Sequence, residues 1–172
     1  MAGVGARINA DELEREVARL RRVGANWRPV LRDFGEHMMT SIARNFEEQG
    51  RPESWKPLAP ATKIARWRRR NRGQRMYTGG ARQRTTARAY AFMTGMKILQ
   101  DTGALKRAIH RRVTGNILEI GSALVYARIH QKGGQAGRGR RVRIPARPYL
   151  VFQDEDEREF FEMVEDRIFR GR

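Results

Sequence analysis

The chain has 172 residues, the size of one domain or of one domain with arms, and its 40% hydrophobic content allows only a modest core. With 36 Lys and Arg against 19 Asp and Glu it carries +17, which favours polyanions or acidic protein partners. Cysteine is absent, which excludes a disulfide framework or thiolate zinc site and suits synthesis in a reducing cytoplasm; no signal peptide appears, and no stretch approaches the ~18 apolar residues of a membrane helix. The chain opens with a predicted helix from about Ala10 to Arg22, where Asn9 and Glu12 have capping-box spacing and Leu13, Val17 and Leu20 form a stripe thin enough to suit docking on a neighbouring subunit. A second helix starts near Pro29, carries Val30, Phe34, Met38, Ile42 and Phe46 at i+4 spacing, and stops at Gly50. His37 lies off that stripe and reads as a solvated histidine.

Arg51 to Pro60 is too proline-rich for regular structure, and Trp55 and Leu58 are expected to pin it across the core. Pro60 starts a short helix through Trp67. The stretch that follows is the most basic and least patterned of the chain, and Thr86 to Met93 is its one short helical segment. Ile98 to Gly103 reads as a short strand and turn, with Thr102 capping a helix from Gly103 to His110. Val113 and Ile117 to Ile120 flank a hairpin turn at Thr114, Gly115 and Asn116. Tyr126 to Gln131 forms a helical turn, Val142 to Ile144 a strand, and about Asp154 to Phe169 a last helix burying Phe160, Phe161, Val164 and Ile168. The fold class is α+β: a small antiparallel sheet packed by long helices, with extended basic loops and an N-terminal helical arm over residues 1–25. Residues 26–172 form the single domain, interrupted by a basic insertion at about 68–97.

Charge is segregated along the chain. No acid lies between Glu53 and Asp101, where twelve Lys and Arg occur, nor between Glu119 and Asp154, where seven do. The last helix reverses the sign with eight acids from Asp154 to Asp166. That polarity suits head-to-tail contacts between copies, with Glu162 and Glu165 on the acidic side and Leu13 and Val17 as further interface candidates.

Tyr126 to Phe152 couples two opposite behaviours. Gly133, Gly134, Gly137 and Gly139 cost the most entropy to order, so the Gly133 to Arg141 loop is expected to be mobile in an isolated chain. Pro145 and Pro148 hold the segment behind it extended, beside a sheet. Trp55, Tyr126, Ile144, Tyr149 and Leu150 are expected to be buried together as a structural frame. Arg138, Arg140, Arg141 and Arg143, in or beside the loop, and Arg68, Arg69 and Arg70 are candidate contacts to DNA or a partner, since no local acid neutralises them.

No catalytic, cofactor or metal site is assigned. His37, His110 and His130 lack HExxH spacing, and the glycine loop lacks the GK[ST] of a phosphate-binding loop. Asp101 and Thr102 read as a cap and turn. A nuclease would need clustered acids and histidines that are absent from the sequence pattern.

Four motifs occur in order: Trp55-Lys-Pro-Leu-Ala-Pro-Ala-Thr62, Ile98-Leu-Gln-Asp-Thr-Gly103 with Leu105, Tyr126-Ala-Arg-Ile-His-Gln-Lys-Gly133, and Ile144-Pro-Ala-Arg-Pro-Tyr-Leu150. Together they resemble the phage virion morphogenesis, or tail completion, family of Mu-like phages and related prophages, over roughly Phe34 to Phe169. The basic segment from Arg68 to Met96 is longer than that family's pattern, so no role carries over to it. The resemblance implies a non-catalytic structural protein of the virion neck or tail end, made in the host cytoplasm. Its implied partners are a homo-oligomeric ring, with a hexamer favoured, and other neck, connector and tail proteins, with genomic DNA in the lumen and no membrane. The alternative reading is a sequence-nonspecific basic nucleic-acid-binding protein, for which no helix-turn-helix, zinc finger or ribonucleoprotein motif is present.

Overall fold

The computed structural model describes residues 26–71 and 89–170, together with Arg15, Ala18 and Gly24. The predicted N-terminal helix, with Leu13 and Val17, and much of the basic insertion lie outside the described residues. The order is α1 (Arg28–Glu47), α2 (Pro60–Arg70), a helical stretch at 89–94, α3 (Ala104–Arg107), β1 (Ile109–Thr114), β2 (Ile117–Ser122), α4 (Ala127–Lys132), β3 (Gly134–Ala136), β4 (Val142–Ile144) and α5 (Asp154–Glu165), which ends in a wider π turn, Asp166–Arg170. The class is α+β. Instead of one small sheet, the described residues hold two separate two-stranded antiparallel sheets, β1–β2 and β3–β4. No helix among them is long and apolar enough to cross a membrane.

The chain divides into two compact units: residues up to 40, 111–120 and 152–172 in one, and residues 41–110 and 121–151 in the other. In α1 all five stripe residues, Val30, Phe34, Met38, Ile42 and Phe46, are buried as their i+4 spacing predicts. Asn26 Oδ1 accepts the Arg28 N–H at 3.2 Å at the helix start. Gly50 stops the helix at φ +115°, where a Cβ would lie 2.5 Å from the Glu53 carbonyl oxygen, so only glycine fits.

In the first unit, Phe34 meets Phe160 edge-on at 4.9 Å and stacks on His37 at 5.8 Å. His37 is not a solvated residue: its Nε2 lies 2.7 Å from Oδ1 of Asp156, which is itself fully buried. The other oxygen of Asp156 accepts the Gln153 N–H at 3.0 Å and so closes the first turn of α5. Gly35 lets the β1–β2 hairpin approach α1, since a Cβ there would meet the Arg111 guanidinium at 3.0 Å and Leu118 at 3.2 Å. Arg111 binds the Arg32 carbonyl oxygen at 2.7 Å and the Glu36 carboxylate. Phe161, expected in the buried face of α5, is instead exposed.

In the second unit, Phe46 packs against Trp55 and Tyr149 with ring centroids 5.6 Å apart in both pairs. The segment from Pro145 to Tyr149 forms no strand, and side chains take the place of a sheet partner. Asn45 Nδ2 donates to the Tyr149 carbonyl oxygen at 3.1 Å, and Trp55 Nε1 to that of Pro148 at 2.7 Å. Gln131 Oε1 accepts the N–H groups of Tyr149 and Leu150 at 2.9 and 3.0 Å, while its Nε2 donates to the Leu150 carbonyl oxygen at 2.7 Å. Buried backbone groups need partners, and a proline-interrupted strand cannot recruit them from a regular ladder. The helix expected over Gly103 to His110 is only α3, with Ile109 and His110 already in β1; β-branched Ile109 and Val113 favour the strand. The strand expected at Ile98 is a turn, with Leu99 at φ 58°, tied by Gln49 Oε1 to the Ile98 N–H and by Gln100 Nε2 to the Phe46 carbonyl oxygen.

Candidate functional site

The glycine and arginine segment forms a short hairpin with several residues at positive φ. β3 and β4 pair in register Gly134 with Ile144, Gln135 with Arg143 and Ala136 with Val142, and a 3-10 turn, Arg138–Arg140, joins them. The pairing expected for Val142 to Ile144 therefore comes from the glycine segment itself. Gly133, at φ +71°, is the hinge of this arrangement: a Cβ would lie 2.7 Å from the Ala146 nitrogen, so the strand end approaches that backbone closely only without a side chain. Arg138, Arg140, Arg141 and Arg143 are all exposed. None makes an ion pair among the described residues. Beside them opens a cleft of about 940 Å³ walled by Lys56, Lys132 and Arg143 over the backbone of Gly133 and Ile144 to Ala146, with no acid in its lining.

Arg147, the basic residue of the last motif, behaves differently. It is buried, and its guanidinium donates to the carbonyl oxygens of Lys56 at 2.9 Å and Pro57 at 3.1 Å, clamping the proline-rich segment. Burial, and then the charge of Arg66, lowers its pKa from the ordinary arginine value. Sequence reasoning missed this residue, although a charge between two prolines in an apolar run is the signal that could have found it.

The turn after Ile98, the α4 segment and α2 meet at a second site. A cavity of about 240 Å³ is lined by Arg66, Arg69, Asp101, Thr102, Tyr126 and His130 over apolar Leu99, Ala104 and Leu105. Arg69 Nη2 lies 2.8 Å and Arg66 Nε 3.9 Å from Oδ2 of Asp101, and Arg70 Nη2 donates to the Asp101 carbonyl oxygen at 2.8 Å. Thr102 Oγ1 accepts the Ala104 N–H at 3.3 Å from one residue before the cap position, which Gly103 occupies in place of the expected Thr102, whereas Asp101 is more than a turn residue: it is counter-ion to the arginines of α2. Arg69 and Arg70 are thus tied within the chain, and Arg70 also lies over the Phe92 ring at 5.5 Å, while Arg68 is exposed. His130 Nδ1 is buried without a hydrogen-bond partner. Burial first, then the charges of Arg147 and Arg66, lower the His130 pKa, and burial is also the main cause lowering that of Arg66, against which Asp101 acts. No single motif in the sequence signals this cavity, because its walls come from segments up to 64 residues apart in number, Arg66 to His130.

Of the expected frame, Trp55 and Tyr149 are buried, and Ile144 and Leu150 are half-buried. Tyr126 is 42% exposed beside Val125, which is 99% exposed; the frame does not include it, because its ring packs edge-on against His130 at the rim of the cavity. Glu162 and Glu165 are exposed on α5. Among the described residues no group of His, Asp and Glu could hold a metal ion.

The α+β scaffold thus carries an exposed arginine hairpin without ion pairs among the described residues and a last helix with four acids in its first turn. The model of the phage virion morphogenesis family matches residues 8–92 and 81–168, and the chain belongs to that family. It is 34% identical over 158 residues to Mu-like prophage FluMu G protein 2 of Haemophilus influenzae, covering 92% of this chain and 90% of that one. No solved structure matches. The chain is therefore a phage virion morphogenesis protein with a structural role in the particle.

Proposed function

We propose that this protein completes the phage tail and joins it to the DNA-filled head, acting at the neck as a closed homo-oligomeric ring, with a hexamer favoured. The observation that carries this reading is the exposed, unpaired arginine hairpin in a chain whose last helix is acidic. A ring multiplies the +17 of each copy, and such self-repulsion calls for anionic neighbours or DNA in the lumen. Exposed Glu162 and Glu165 supply an acidic face for the next copy's basic one, a heterologous contact of the kind that closes rings. Connector and tail proteins are the other expected neighbours.

Deletion of the gene tests the reading. Filled heads and finished tails that fail to join, seen in micrographs of lysates, are the expected result. Joined, infectious particles from the deletion strain would overturn it. The same arginines support a second reading, a sequence-nonspecific nucleic-acid-binding protein, which predicts protein on intracellular DNA and none in purified virions.

A further inference from the structure

We propose that the cavity between α2, the 98–103 turn and α4 is a binding pocket for a single oxyanion, a carboxylate or a phosphate, held by Arg66, Arg69 and the His130 ring. Three independent features converge there. The first is charge: the guanidiniums of Arg66 and Arg69 share one carboxylate, Asp101, leaving a cationic excess at the cavity wall. Arginine forks match the planar or tetrahedral oxygens of such anions and bind them by charge-assisted hydrogen bonds.

The second is an unmet hydrogen-bonding group. His130 lines the cavity, and its Nδ1 is buried with no partner, an arrangement that is unfavourable unless a ligand or water relieves it. A protonated His130 ring in the cavity wall places a positive charge beside an anion bound there. The third is size: about 240 Å³, bounded on its other sides by Leu99, Ala104, Leu105 and the exposed ring of Tyr126, suits one acid group rather than a nucleotide. Asp101 orients Arg66 and Arg69 in the empty state, and the incoming anion shares them.

Binding of an anion next to His130 favours its charged form, the opposite of what burial, Arg147 and Arg66 do to it now. Each histidine ring in the full-length protein is followed by NMR through a pH titration in inorganic phosphate, in glutarate and in chloride at equal ionic strength. His130 is expected to titrate at higher pH in phosphate or glutarate than in chloride. A response to glutarate alone assigns the pocket to a carboxylate such as an acidic side chain of a neighbouring protein, and a response to phosphate alone assigns it to a phosphate group. Arg69→Gln, at a side chain 55% exposed, should leave the fold intact and weaken binding roughly ten-fold, the loss of one charge-assisted hydrogen bond. His130 titrating identically in all three salts, or an Arg69→Gln affinity equal to that of the parent chain, would overturn the proposal.

Discussion

Asn45 shows how much one side chain can hold. It is 1% exposed, its amide nitrogen serves the Tyr149 carbonyl and its oxygen accepts the Arg51 N–H at 2.8 Å. Asn45→Ala leaves both backbone groups buried without it, and a loss of about 1–3 kcal/mol per stranded group is expected, read as a lower denaturant midpoint. His130 adds a pH dependence. Its pKa in the folded chain lies below the ordinary value near 6.5, so the unfolded chain takes up the proton first. Its contribution to stability is therefore intact above that value and is lost as pH falls through it. In chloride buffer, His130→Gln should lose less melting temperature between pH 7.5 and 5.5 than the parent chain; equal losses would show that the ring does not titrate as its surroundings require. Both residues sit in recognisable stretches, yet their partners were illegible. Spacing finds the stripe on α1, but it does not tell which carbonyl 104 residues away an asparagine will meet.

At the scale of elements, periodicity and prolines located α1, the start of α2 and the start of α5, because each rests on local signals: i+4 burial, Pro60 at the first turn, and acids after Gln153. The β3–β4 hairpin was half legible. Val142 to Ile144 has the residue types of a strand, but its mate is Gly134–Ala136, whose composition carries no strand signal and whose place depends on the close backbone approach at Gly133. Gly133→Ala should destabilise the protein more than Gly139→Ala. Both have positive φ, but at Gly139 the nearest foreign atom to a new Cβ is the flexible Arg141 side chain at 3.6 Å, whereas at Gly133 it is backbone at 2.7 Å. The Gly139 change is expected to cost about 1 kcal/mol from strained φ alone. Thermal melts of equal depression would place the hairpin's register elsewhere than in that contact.

For the molecule as a whole, charge polarity was plain in the sequence and survives folding at the hairpin, where four arginines remain exposed, while at α2 it is reduced by Asp101. Replacing Arg138, Arg140, Arg141 and Arg143 by serine should lower both the affinity for duplex DNA and the steepness of its salt dependence, since each phosphate neutralised adds to the slope. Loss of infectious particles with DNA binding unchanged would assign the hairpin to a protein interface instead. Charge reversal at Glu162 and Glu165 should impair ring formation, checked by counting assembled necks in micrographs; normal assembly would remove those two acids from the subunit contact.

The side-chain scaffolding of Pro145 to Leu150 has a consequence for variation. In a β-sheet, neighbouring main chains bond to one another and nearly any residue at a position supplies the same donor and acceptor. Here the partners of the Pro148, Tyr149 and Leu150 main chain are an asparagine and a tryptophan that donate and a glutamine that both donates and accepts, and few other side chains present those groups at the same reach. A saturation library of this protein should therefore be intolerant at Asn45, Trp55 and Gln131 and comparatively permissive in β1 and β2, so that its genetic robustness is poorest where its backbone looks least regular.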